Sequence, residues 1–350
     1  MAISYLSGGR IQGLSSDTKP TNVPIQSLFE ETDTGKFLTL LYANGFASAP
    51  SWIEMGTVGE ITQNTALNST IATGGNGDSG GTGNYNILTS TETFSGGTWT
   101  AGGNMSTNRT IHAGGGTSSN AFVAAGETSS GGGNYNNGVT CEEYNGSAWG
   151  AGGDYPYIQY YLSGAGQQTN AIAGGGNGTH SRTTHSHEYN GTAWSAIGAS
   201  GSATIGYGAY GGCFGGNATD CLSMGGQDSA SHNKCEEYNG SSWSAGGDLN
   251  TGRYVLGGDG STTNAIIYQG ASTQNCEKYN GSSWTSIGNG GGSGSKGGAF
   301  AGGNSTQAVC GFGKISSTRQ DACEIWDGSS FSATGTATVT REYPNGGSAN

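Results

Sequence analysis

Residues 236–243 read EEYNGSSW, and copies of this octet recur along the chain. EEYNGSAW ends at Trp149, HEYNGTAW at Trp194, EKYNGSSW at Trp284 and EIWDGSSF at Phe331. TETFSGGTW, ending at Trp99, and LYANGFASAPSW, ending at Trp52, are looser copies. Successive anchors lie 41 to 50 residues apart, the period of a four-stranded propeller blade. Asn-Gly between two β-prone runs signals a tight hairpin whose two turn residues both take φ > 0. Asn145-Gly146, Asn190-Gly191, Asn239-Gly240 and Asn280-Gly281 fit that pattern. The Tyr before the turn and the Trp after it then pair across the hairpin, strands c and d of one blade.

Two further short apolar runs separate each Trp from the next Tyr. Strand a reads TIHAGGG from Thr110, YYLSGAG from Tyr160, YGAYGG from Tyr207, YVLGGD from Tyr254 and GAFAGG from Gly298. Strand b reads STIATGG from Ser69, NAFVAAG from Asn120, NAIAGGG from Asn170, DCLSMGG from Asp220, NAIIYQG from Asn264 and QAVCGFG from Gln307. Glycines and small residues on inner strands suit a propeller centre, where backbones converge. One such unit cannot bury both of its faces, whereas stacking neighbours and closing the ring do. Residues 337–347, ATVTREYPNGG, match 249–258, LNTGRYVLGG, and are expected to close the ring as strand a of the first blade. The expected fold is an all-β, six-bladed propeller. It becomes seven-bladed if SYLSGG, KFLTLLYANG and PSWIEMG supply strands b, c and d. In the six-bladed reading residues 1–57 are an N-terminal attachment or adaptor segment, or an incomplete blade, and 58–350 the propeller.

Composition agrees with many short strands and tight turns. Glycine supplies 70 of 350 residues, charged residues 10% and hydrophobic residues 32%. The glycines follow no three-residue period, which excludes collagen. The low charge density argues against a disordered chain. A net charge of −12 disfavours nucleic acid and anionic membrane surfaces, both of which call for basic patches. MAISYLSGGRIQG lacks the basic-then-apolar pattern of a signal peptide, and no apolar run is long enough to span a bilayer. The expectation is a protein without membrane insertion that reaches the outside, if at all, by lysis.

The glycine pair after a short apolar strand, followed by a Tyr and a spaced Trp, resembles the kelch repeat over residues 58–347. Kelch repeats usually carry Tyr-Asp-Pro before the Trp, where this chain has Asn-Gly. A basic residue before strand a appears only in some repeats, as Arg109 and Arg253. GGRIQGLSSDTKPTNVPIQSLFEETDTGKF, residues 8–37, looks like the leader of phage and prophage structural proteins, especially tail-fibre and other virion-surface proteins. That resemblance implies an adaptor or oligomerisation segment, contacts with other virion proteins through residues 1–57, and location in the virion.

Most candidate chemistry is explained by the repeat itself. Cys141, Cys235, Cys276 and Cys323 take the same place in successive c strands, too far apart to bridge, and read as small buried apolar residues. Cys213 and Cys221 are close in sequence across an a–b hairpin, where one bridge is open. No CxxC pair suggests structural zinc. His180, His185 and His187 cluster, but as a metal site they lack further ligands. The acidic pairs Glu142/Glu143 and Glu236/Glu237 recur blade after blade, unlike a single glycosidase site. Only Asp327-Gly328 keeps the Asp of a sialidase-type box, and no phosphate-loop motif occurs. The Asn-x-Ser sequons at Asn145, Asn239 and Asn280 fall on the hairpin turns, so turn chemistry accounts for them.

One segment breaks the repeat. DYPYIQYY, residues 154–161, carries four tyrosines, and the NYN loops add Tyr85 and Tyr135. Aromatics on loops at one end of a rigid propeller can stack on sugars or on a protein partner. The candidate ligand-binding residues are therefore Tyr155, Tyr157, Tyr160, Tyr85 and Tyr135, with neither catalytic residue, metal nor cofactor implied. The expected function is a non-enzymatic virion component, tail fibre, spike or surface decoration, presenting a propeller to host-surface glycan. The alternatives are a free multivalent lectin and a propeller hydrolase or oxidase.

Overall fold

The computed structural model describes residues 69–348 except 78–85, 129–137, 179–183, 198–209 and 272; within residues 1–68 it describes only the backbone of five strands. The chain divides into two compact units, Met1–Thr65 and Ala66–Asn350. In the first, Ser4–Tyr5, Arg10–Gly13, Leu28–Glu31, Lys36–Tyr42 and Pro50–Thr57 form one sheet in that order. The second and third of these strands run parallel. The looser copy before Trp52 is thus a hairpin, Lys36–Tyr42 on Pro50–Thr57, within a sheet of its own.

The second unit is a six-bladed β-propeller, and the described residues are all-β. Blade II is typical. Its strands a to d are Ala113–Thr117, Asn120–Ala124, Cys141–Tyr144 and Trp149–Ala151, paired antiparallel in that order. Blade III repeats this with Ser163–Gln167, Asn170–Gly174, Ser186–Tyr189 and Trp194–Ala196. Blade IV uses Cys213–Asn217, Asp220–Met224, Cys235–Tyr238 and Trp243–Ala245. Blade V uses Gly257–Ser261, Asn264–Tyr268, Asn275–Tyr279 and Trp284–Asn289. Blade VI uses Gly297–Gly303, Ala308–Ile315, Cys323–Trp326 and Phe331–Ala333, with Thr318–Arg319 as an added short strand.

Blade I closes the ring. Its b, c and d strands are Thr70–Thr73, Thr91–Ser95 and Thr98–Ala101, and its inner strand is the C-terminal Asn345–Gly347. With that strand committed to blade I, the seven-bladed alternative loses the strand it needs, and the count is six. Around the axis the a strands come so close that side chains have no room. A Cβ on Gly115 would stand 2.7 Å from the Gly166 carbonyl of the next blade.

The hairpin of strands c and d forms where expected but not with the expected turn. Tyr144 pairs with Trp149 across a four-residue loop, and their rings lie 5.0 Å apart. Only Gly146 takes positive φ. The Asn145 Oδ1 instead accepts hydrogen bonds from the Ser147 and Ala148 amides, both 3.0 Å, an Asx-type turn. Asn190, Asn239, Asn280 and Asp327 do the same, because the contact asks only for a short acceptor. Blade I alone has the two-residue turn, with Gly96 and Gly97 both at positive φ between Ser95 and Thr98.

The cysteines are free thiols. Cys213 pairs with Met224 and Cys221 with Gly216, so the two thiols stand three rungs apart along their hairpin rather than opposite one another. Burial pushes the Cys141, Cys235 and Cys323 thiols up to about 12, which keeps them protonated and unreactive.

Candidate functional site

Strand a of each blade is entered through a residue in the left-handed backbone region: Ile111, Tyr161, Gly211, Val255, Gly298 and Tyr343, with φ between 46° and 67°. Four of the six are not glycine, a costly conformation that neighbours must enforce. Here the neighbours are each other. Five of the six amides donate to the carbonyl of their counterpart one blade back: Tyr161 to Ile111 (2.8 Å), Gly211 to Tyr161 (3.2 Å), Val255 to Gly211 (2.5 Å), Gly298 to Val255 (2.7 Å) and Tyr343 to Gly298 (2.9 Å). A chain of main-chain hydrogen bonds thus girdles the axis at the end where the d–a and b–c loops gather.

Tyrosines stand on this girdle. The Tyr161 ring lies 4.4 Å from Tyr210, 5.6 Å and nearly perpendicular from Tyr343, and 6.0 Å from Tyr160. Burial, then Tyr343 and Glu342, push Tyr161 up against a lowering influence of Tyr210, and burial raises Tyr343 to about 12. Beneath them lies a small axial cavity of about 80 Å³ whose walls include His112, Cys213 and Phe300. His112 is 1% exposed; its Nε2 is 3.2 Å from Thr73 Oγ1, and its Nδ1 has no hydrogen-bond partner. Burial and then Arg109 lower it to about 3, too weak a base for proton abstraction near neutral pH.

Two residues before the girdle, another repeat position is charged. Arg109, Arg253 and Arg341 are fully buried and pair with Glu142, Glu277 and Glu92 on strand c of their own blades. Each also donates to the carbonyl that follows strand b: Ala125, Gln269 and Gly74. A backbone amide of the d–a loop, Ser106, Asn250 or Thr338, completes each carboxylate. For Glu142, burial works to raise the pKa, but the bonds from Arg109 and Ser106 outweigh it and hold it low. In three blades the next residue along strand c is a glutamate that bridges blades. Glu143, Glu188 and Glu237 accept the hydroxyls of Tyr189, Tyr238 and Tyr279 of the following blade, each at 2.6 Å.

Blade III departs from this scheme. Gln159 replaces the arginine, His187 the glutamate, and Pro156, which has no N–H, the loop donor. The sequence candidates therefore scatter. Tyr155 is 1% exposed, packed 5.0 Å from Trp194 with its hydroxyl 3.2 Å from His187 Nδ1, so burial removes it from any surface stack. It fills the place of Met105 in blade II. Tyr157 and Ile158 are each 38% exposed, the large exposed apolar residues among those described, and Tyr157 borders His187 at 5.4 Å. Tyr160 accepts a hydrogen bond from Asn177 and joins the axial cluster. Tyr85, Tyr135 and His180 lie outside the described residues. Tyr161, Tyr210, Tyr343 and His112 were not singled out from the sequence. Their signal was register: Tyr161 and Tyr343 hold the place of Ile111 and Val255, and the Arg341 that announces Tyr343 aligns with Arg253.

No family model matches the chain, and no curated protein matches it either. Solved structures do match. One, titled "Structure of YjhT", superposes with a TM-score of 0.53 at 12% identity, covering 67% of this chain and 86% of that chain. The likeness speaks for the fold: a β-propeller.

Proposed function

We propose that this chain is a non-enzymatic recognition protein of a phage particle, a tail fibre, spike or surface decoration, whose loop face binds host-surface glycan. One observation carries the reading. The recurring glutamates named above are engaged by buried arginines of their own blade or by tyrosines of the next, and the cysteines are free and mostly buried, while the large exposed apolar side chains, Tyr157 and Ile158, stand on the irregular loop of blade III. Tyr157 and Ile158 are open there, and the same loop runs on to Tyr160 and Tyr161 of the axial cluster, whose phenols remain protonated donors and acceptors. An aromatic face edged by hydroxyls suits a pyranose ring. The virion assignment rests on the leader-like residues 8–37, and the kelch assignment on the repeat pattern, both resemblances of sequence.

Electron microscopy and mass spectrometry of particles made with and without the gene test the location; absence of the protein from particles overturns it. A glycan array with the full chain tests the ligand. One class of glycan bound, and lost in Tyr157→Ala, supports the reading. A flat array overturns it, and several equivalent sites per chain mark a free multivalent lectin instead.

A further inference from the structure

At the other end of the propeller axis, where the a–b turns gather, a second basin of about 420 Å³ opens. Its position in the repeat is informative. The strand a residue in register with Gly115 is Ala165, Gly215, Gly302 or Gly347 in four other blades, small as the crowding of backbones requires; in blade V it is Asp259. The next residue is Gly116, Gly166, Gly216, Gly260 or Gly303 in five blades; in blade I it is Ser348. Apart from Ala165, the two ring positions carry one side chain each, and both are polar: Asp259 and Ser348.

Both groups line the basin. Asp259 is 7% exposed, and its carboxylate crosses from blade V past blade VI toward blade I. Its Oδ2 accepts from the Gly303 amide at 3.0 Å and lies 3.6 Å from where a Cβ on Gly347 would stand. Its Oδ1 accepts from the Gly260 amide at 2.8 Å. Ser348, beside Gly347, is 8% exposed, and its buried Oγ has no hydrogen-bond partner. A buried hydroxyl left without a partner is costly and, beside an open basin, marks a place for a ligand atom. Around them stand the amides of Asn170, Asn217 and Asn304, and Phe214 lines the wall.

We infer that this basin is a binding site for a neutral polyhydroxylated molecule of monosaccharide size, with Asp259 and Ser348 as its buried recognition groups. Carboxylate acceptors interleaved with amide and hydroxyl donors match hydroxyl groups, which are both donor and acceptor. The volume falls within the range of small-molecule sites. The site is at the opposite end of the axis from Tyr157 and does not depend on the loop-face reading.

The test is saturation-transfer NMR and calorimetry on the full chain with glucose, galactose, mannose, N-acetylglucosamine and myo-inositol, and separately with calcium chloride. At least one polyol is expected to bind saturably. Asp259→Ala, which installs the residue blade III already carries, and Ser348→Ala are each expected to weaken it about tenfold, the worth of one good hydrogen bond to a charged or buried group. Tyr157→Ala is expected to leave it unchanged. Melting curves establish that the variants fold. Lack of binding by every polyol, binding indifferent to both Asp259 and Ser348, loss in Tyr157→Ala, or saturation by calcium alone overturns the inference.

Discussion

In blade II, Arg109 meets Glu142 beneath the axial girdle; in blade III the same two places hold Gln159 and His187. The backbone contact survives the exchange. Arg109 donates to the carbonyl of Ala125 at 2.9 Å, and Gln159 donates to the equivalent carbonyl of Gly175 at 3.2 Å. What changes is the loop above. In blade II the amides of Ser106 and Thr107 are drawn onto the Glu142 carboxylate, at 2.7 and 3.1 Å. In blade III Pro156 has no proton to give and His187 no carboxylate to receive it, so the loop is anchored by Tyr155 instead and Tyr157 is left outside. The repeat therefore keeps shape and a donor to that carbonyl, not charge. Exchanging the ion pair for a neutral pair frees one loop to expose an aromatic residue.

The largest effect should come from halving the pair in blade II. Arg109→Met strands a buried carboxylate and is expected to cost about 3–5 kcal/mol in urea unfolding. Importing the solution of blade III, Arg109→Gln with Glu142→His, should recover at least half of that loss. A double variant no more stable than the single would break the comparison, because the two pairs would not then be interchangeable. In blade III, Tyr155→Ala empties an anchor site and is expected to cost about 3 kcal/mol, whereas Tyr155→Phe loses only the bond to His187, about 1 kcal/mol.

The fold was legible because its cause is local and repeated. Each Tyr–Trp hairpin carries its own turn residue, and spacing alone places four strands per period. Closure was legible too, since residues 337–347 copy 249–258. The turn type was misjudged because Asn145 acts through its side chain, not through a positive φ, and the Asn-Gly dipeptide looks the same in both cases. The site was less legible. DYPYIQYY stood out as irregular, but which of its tyrosines face outward follows from the blade register. Tyr155 falls on a core position shared with Met105 and Leu249, while Tyr161 falls on the girdle. Tyr161, Tyr210 and Tyr343 are brought together from three blades, and no window of sequence shows that.

Both blades should respond to acid, each through a buried histidine. His187 faces Tyr155, Tyr157 and His185, and burial followed by His185 lowers it to about 4. An unfolded histidine takes its proton near pH 6.5. As pH falls from there toward 4, the unfolded chain binds a proton that the fold refuses, and stability declines by up to about 1.4 kcal/mol per pH unit for each such histidine. His112, facing Arg109 and Thr73 and lowered to about 3, adds to the same slope. Above pH 6.5 neither contributes. His187→Gln should flatten the melting temperature between pH 6.5 and 4 by its share; an unchanged slope would place the sensitivity in His112 or in the carboxylates.

The smallest expected effect on stability is the one that separates scaffold from surface. Tyr157 occupies the place of Thr107, whose amide is tied to Glu142 in blade II. With no carboxylate beneath it, its ring rests against His187 at the protein edge. Tyr157→Ala should therefore change unfolding free energy by no more than about 0.5 kcal/mol, while removing the aromatic surface on which glycan recognition by the loop face would depend. A stability loss of the size expected for Tyr155→Ala would mean that the ring is part of the core of blade III, and that freeing the loop from its carboxylate served packing rather than exposure.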